Sequence, residues 1–81
     1  MSANEEKFVK AGELARQMGM TRQQMHQYVV LGLLVPVSTT KGGQRLFSES
    51  AALERIKLIR NLLANGYTLQ SIRDIFFKDK S

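Results

Sequence analysis

The chain of 81 residues has no cysteine and no tryptophan, a single proline and a single histidine. Without cysteine there can be no disulfide framework, no thiolate metal site and no cysteine nucleophile, and an intracellular setting fits this composition. One histidine, His26, with no cysteine to accompany it cannot assemble a zinc or other transition-metal cluster of the usual kind. Long apolar runs are missing too. The longest, Tyr28 to Leu34, is interrupted by Gly32 and falls far short of the roughly 20 residues that span a bilayer. The first residues are polar and acidic, unlike the basic and then apolar start of a secretory signal. Catalytic patterns are equally scarce. Lys41-Gly42-Gly43-Gln44 lacks the spacing of a phosphate-binding loop, no nucleophile elbow is present, and the pairs Glu49/Glu54 and Asp74/Asp79 lie among lysines and arginines, where charge pairing on helices explains them. The sequence therefore predicts no enzyme, no cofactor and no metal.

What remains is ordinary for a folded domain: 43% hydrophobic and 23% charged residues, enough for one core and one domain. Twelve Lys and Arg against seven Asp and Glu leave a net charge of +5, which favours a polyanionic partner. The chain divides into a flexible arm over 1–7, a domain over 8–78 and a tail over 79–81.

Ala11, Leu14, Ala15 and Met18 recur at three and four residues and predict a first helix over 11–18, which Gly19 ends. Thr21 followed by Gln24 makes a capping box, so a second helix starts at Arg22 and runs to about 31. Its buried stripe is Met25, Tyr28 and Val29, with Gln23, Gln27 and Val30 pointing outward and Arg22 and His26 on the flank. Two short helices separated by a glycine-containing break have the spacing of a helix-turn-helix. Val35-Pro36-Val37 and Arg45-Leu46-Phe47 read as two extended runs around the Gly42-Gly43 pair, a small hairpin spanning about 37–47. Ser48 caps a third helix whose apolar side is Leu53, Ile56, Ile59, Leu62 and Leu63 and which Gly66 stops. Thr68 caps a fourth, with Leu69, Ile72, Ile75 and Phe76 as its stripe. The fold class is mostly α with a small β-hairpin.

The outward groups of the second helix suit a nucleic-acid groove. A glutamine can bond adenine at two atoms and an arginine guanine at two, so Arg22, Gln23 and Gln27 are competent readers, with His26 beside them. In the hairpin, Lys41 and Arg45 bracket Gly43, where a bare backbone approaches phosphates closely. The plain alternative is that these are a solvated helix face and ordinary hairpin-tip residues.

Six segments in order, Gly12-Glu13-Leu14-Ala15, Gly19-Met20-Thr21, Met25-His26-Gln27-Tyr28, Gly32 to Pro36, Gly43 to Ser48 and Gly66 to Ile72, together resemble the DNA-binding domain of MerR-type transcription regulators over about residues 8 to 77. The resemblance implies a winged helix-turn-helix: hairpin wing, then two further helices as a second wing, with the second helix in the major groove of double-stranded DNA. It places Thr21 at the recognition-helix cap, Tyr28 at an aromatic position on the DNA backbone and Arg45 in the wing. Where the family usually has Arg-Tyr-Tyr-Glu this chain has His26-Gln27-Tyr28-Val29, and the wing tyrosine is Gln44, so a divergent target is expected. The sites expected on DNA are thus Thr21, Arg22, Gln23, His26, Gln27, Tyr28, Lys41, Gly43 and Arg45. The resemblance further implies a cytoplasmic, nucleoid-associated regulator that pairs with a second copy, by self-association or through a dimerisation helix of a longer chain. Val30 and Phe77 are the apolar side chains expected at such a contact, unless Phe77 tucks under its helix end. Two other readings stay open: a protein-interaction module built on the same fold, and a DNA-bending accessory factor similar to phage excisionases.

Overall fold

The computed structural model describes residues 6–78, so Met1–Glu5 of the expected arm and the tail 79–81 lie outside the described residues. Strand β1 (Phe8–Lys10) leads directly into helix α1 (Ala11–Met18), and a three-residue turn joins α1 to α2 (Arg22–Val30). Then come β2 (Ser38–Thr39), β3 (Arg45–Ser48), α3 (Glu49–Ala64) and α4 (Leu69–Phe77).

Three of the four helix starts have a side chain to satisfy a free amide. The Thr21 hydroxyl accepts from the Gln24 amide at 3.0 Å while the Gln24 side chain accepts from the Thr21 amide at 3.1 Å, the capping box read from the sequence. Thr68 and Ser71 repeat the arrangement at α4. Ser48 caps α3, and its own hydroxyl donates to the Glu6 carboxylate. The end of α1 is closed by Gly19, whose left-handed backbone lets the amide of Met20 reach the Ala15 carbonyl at 2.8 Å.

The core gathers on α3. Ile56 and Ile59 are wholly buried, as are Leu14 from α1 and Ile72 from α4, and Met25, Leu33 and Phe47 are nearly so. Burying each such side chain contributes about 1.5–3 kcal/mol, which is what holds four short helices together. Arg60 of α3 donates to the carbonyl of Met18, fixing the end of α1 to α3.

The sheet departs from expectation. It has three strands, not two, in the order β1-β3-β2, both pairings antiparallel, with Val9 opposite Phe47 and Thr39 opposite Arg45. Residues 6 and 7, expected in the flexible arm, are tied down: besides the Glu6 hydrogen bond, the Lys7 carbonyl accepts from the Glu49 amide at 2.9 Å. Val35-Pro36-Val37 is not a strand. Proline offers no amide to a ladder, and only the Val37 amide reaches across, to the Leu46 carbonyl at 2.9 Å. Ile75, expected in the buried stripe of α4, is exposed.

Candidate nucleic-acid interface

Positions on α2 follow from its rotation of 100° per residue about a buried side formed by Met25 and Tyr28. Gln23 and Val30 then point most directly outward, His26 and Gln27 lie beside them, and Arg22 turns toward the wing. Gln23, His26 and Gln27 are all exposed and Val30 is 67% exposed.

The wing tip is shaped by Gly43. The Gly43 amide donates to the Thr40 carbonyl at 2.9 Å, closing a turn over Lys41 and Gly42, and the Gln44 carbonyl accepts from the Thr40 amide at 2.8 Å. Between them Gly43 takes φ +86°, a left-handed conformation that residues with a side chain rarely adopt; Gly42 has no positive φ. The Thr40 hydroxyl also accepts from the Gln44 amide at 3.1 Å.

Between the wing, the start of α1 and the side of α2 lies an open cleft of about 770 Å³. Arg22, His26, Gly43 and Arg45 line it, as expected from the sequence, together with Lys10 and Gln44, which had not been expected at the interface. No local signal in the sequence marks Lys10: Phe8-Val9-Lys10 does not alternate apolar with polar, and its exposed, buried, exposed order, with Lys10 on the outer side, comes from pairing with β3. Among the described residues Lys10, Arg22, Lys41 and Arg45 enter no ion pair. Glu13 also borders the cleft, but its carboxylate is occupied: Arg16 donates to it at 2.6 and 3.2 Å and Gln17 at 3.1 Å. Those hydrogen bonds, the Arg16 one foremost, hold the Glu13 carboxyl below the usual carboxylate range. Among the described residues three cations thus face one cleft whose single carboxylate, Glu13, is already bonded to Arg16 and Gln17, an arrangement suited to an extended polyanion.

The remaining expected residues are dispersed. Lys41 is exposed at the wing tip but outside the lining of the cleft. Gln23 and Gln27 stand on the outer face of α2. Thr21 spends its hydroxyl on the helix cap, so it positions Arg22 and Gln23. Tyr28 corrects the expectation drawn from the resemblance: it is 6% exposed and belongs to the core, in agreement with the helical periodicity. Burial pushes its hydroxyl pKa up, with Arg60 nearby acting in the opposite sense. Phe77 lies against Gly32 with the Arg73 guanidinium 5.5 Å from its ring centre, and the ring stays partly open to solvent, the residue being 38% exposed.

A chain with this order of elements and this cleft invites comparison with known proteins. Residues 9–78 match the family described as MerR HTH family regulatory protein. The chain belongs to that family. Its members are sequence-specific DNA-binding transcription regulators and not enzymes, and their helix-turn-helix domains bind double-stranded DNA. Among curated relatives, the nodulation protein NolA of Bradyrhizobium sp. (strain NC92) is 38% identical over 64 residues, covering 79% of this chain and 27% of that protein. The HTH-type transcriptional regulator ZntR of Escherichia coli K12 is 35% identical over 66 residues, 82% of this chain and 46% of its own length. The chain thus spans between about a quarter and a half of these MerR relatives. Among solved structures, the N-terminal part of MtaN, a multidrug transporter activator of Bacillus subtilis, superimposes with a TM-score of 0.76 at 29% identity, over 84% of this chain and 63% of that one. A MerR-family transcriptional regulator from Bacillus cereus gives 0.73 at 25% identity, over 88% and 52%. The winged helix-turn-helix of MerR proteins is therefore the fold of this chain. Among its described residues no helix is long and apolar enough to cross a membrane.

Proposed function

We propose that this chain is the DNA-reading module of a transcription regulator, with α2 laid in the major groove and the wing over 37–47 resting on the phosphates beside it. One observation carries the reading: Lys10, Arg22 and Arg45, none of them in an ion pair among the described residues, converge on the cleft between α2 and the Gly43 turn, where the one acidic group, Glu13, is bonded to Arg16. Arg22 and Arg45 neutralise phosphates, His26 and Gln44 supply hydrogen-bonding groups in the same cleft, Lys41 adds charge at the tip, and Gln23 and Gln27 face base edges. A single module reaches few phosphates, so two copies on neighbouring half-sites gain affinity through effective concentration. Pairing of two chains, and a place in the cytoplasm on the nucleoid, belong to this reading.

The test is charge reversal. Arg22→Glu with Arg45→Glu is expected to weaken binding to duplex DNA by at least about tenfold and to flatten the dependence of log affinity on log salt by about two, one for each phosphate no longer neutralised. In the wild type, amide resonances of α2 and of the wing should shift together as DNA is added. Unchanged affinity of the double variant for every duplex, or shifts confined to the Phe77 end, would rule the reading out.

A further inference from the structure

Helix α2 carries three glutamines, and the structure separates them. Gln24 is committed to the cap, its carbonyl oxygen accepting from the Thr21 amide at 3.1 Å. Gln23 and Gln27 are exposed, and among the described residues their side chains make no hydrogen bond. On the same outward line as Gln23, seven residues on, stands Val30 at 67% exposure, an apolar group at the C-terminal end of a polar face. Neither a carboxylate nor a cation occupies that line. Arg22 is drawn off to the side, into the cleft with the wing.

These groups have a limited vocabulary. A primary amide offers a donor and an acceptor side by side, which matches the N7 acceptor and N6 donor of adenine; guanine presents two acceptors there and can use only half of it. A branched apolar side chain gains by covering the C5 methyl of thymine, which cytosine lacks. Seven residues of helix rise about 10.5 Å, so Gln23, Gln27 and Val30 are spread over two turns and meet different base edges along the groove.

We propose that the outward face of α2 selects a short run of A·T pairs, Gln23 and Gln27 bonding adenine edges in the major groove and Val30 packing on a thymine methyl. The proposal rests on the reading of α2 as the groove helix. It gives the exposed valine a purpose and names the base class that Gln27, standing where the family usually has tyrosine, would read.

The experiment selects binding sites for the 81-residue chain from duplexes with a randomised core. It then measures affinity, at fixed salt, for the selected duplex, for its thymine-to-deoxyuridine version and for its adenine-to-7-deazaadenine version. Selected cores should hold A·T pairs. Deoxyuridine should cost the wild type about fourfold, the effect of one methyl group, and leave Val30→Ala indifferent. The 7-deaza base should cost about fivefold for each of the two hydrogen bonds it removes, and leave Gln23→Ala with Gln27→Ala indifferent. All three side chains are exposed, so these variants keep the fold. Cores with G·C at the selected positions, or a wild type and a Val30→Ala variant equally sensitive to deoxyuridine, would overturn the proposal. Binding at low salt with no base preference overturns it too, while sparing the broader reading; failure to hold any duplex overturns both.

Discussion

Helices α2 and α4 are built alike and used differently. Both are nine residues long and both start from a threonine in a reciprocal capping box. On α2 the outward groups Gln23, His26 and Gln27 have no hydrogen-bond or ion-pair partner among the described residues. On α4 the Arg73 guanidinium lies over Phe77 and Phe76 receives Arg55 from α3 with its guanidinium 4.4 Å from the ring centre, while exposed Gln70 and Asp74 have no hydrogen-bond or ion-pair partner among the described residues. Capping and apolar spacing decide that a helix forms and where it starts. What the free groups are decides which molecule a helix can serve: α2 offers Gln23, His26 and Gln27 beside Arg22, none of them acidic, whereas α4 offers Asp74, a carboxylate that repels phosphates.

The comparison breaks first if either helix can be detached from the core. Met25 anchors α2 at 2% exposure and Ile72 anchors α4 at 0%. Met25→Ala and Ile72→Ala should each cost about 2–5 kcal/mol in urea denaturation, the lost burial plus the cavity left behind. A cost under about 1 kcal/mol for Ile72→Ala would show α4 to be an appendage and the likeness of the two helices superficial.

The two helices meet at Gly32. Its φ is +80°, and a Cβ there would stand 2.9 Å from the Cζ of Phe77. Gly32→Ala therefore combines backbone strain with a clash, and should cost about 1–3 kcal/mol. In the Phe77→Leu background the same change should cost measurably less, since the ring that the methyl strikes is gone. A double-mutant cycle by thermal or urea unfolding checks this, and strictly additive costs would mean that Phe77 does not rest on Gly32.

Much of this was legible in the residues. Gly19, Thr21 and Gln24 announce the helix-turn-helix because their signals are local: a residue tolerant of left-handed backbone, then a hydroxyl three residues from an amide. Ser48, Gly66 and Thr68 bound α3 and α4 for the same reason. Strand β1 escaped because three residues carry no local pattern of their own; Phe8 to Lys10 becomes a strand only when Phe47, far along the chain, arrives beside Val9. Missing β1 also meant missing Lys10 in the cleft. Tyr28 exposes a different limit. Periodicity placed it inside and resemblance placed it on the DNA backbone, and the geometry of this chain sided with periodicity.

The capping boxes sharpen the comparison further. Thr21→Ala and Thr68→Ala remove the same hydrogen bond at the same position of two helices, so each should cost about 1 kcal/mol of stability. Their effects on duplex binding should differ. Loss of the Thr21 cap frays the first turn of α2, where Arg22 and Gln23 sit, whereas loss of the Thr68 cap frays a turn that the proposed interface does not use. Affinities measured well below both unfolding transitions should fall severalfold for Thr21→Ala alone. Equal losses would place the start of α4 at the DNA as well.

The smallest expected effect concerns what lies beneath each helix. Under α4 the buried anchor is Ile72, which cannot ionise; under α2 it includes Tyr28, whose pKa burial raises from an ordinary 10.0. A phenol that is harder to ionise in the folded chain than in the unfolded one gives stability that is complete below its unfolded pKa. That stability is lost as pH rises through the folded value, because in that interval the unfolded chain has released a proton that the folded chain retains. Stability should therefore fall more steeply above about pH 10 in the wild type than in Tyr28→Phe, with the two profiles parallel at lower pH. Amide exchange under the same conditions should quicken in α2 before α4. Should the Tyr28→Phe profile follow the wild type throughout the alkaline range, the burial of that hydroxyl has no energetic weight, and the two helices rest on equally inert supports.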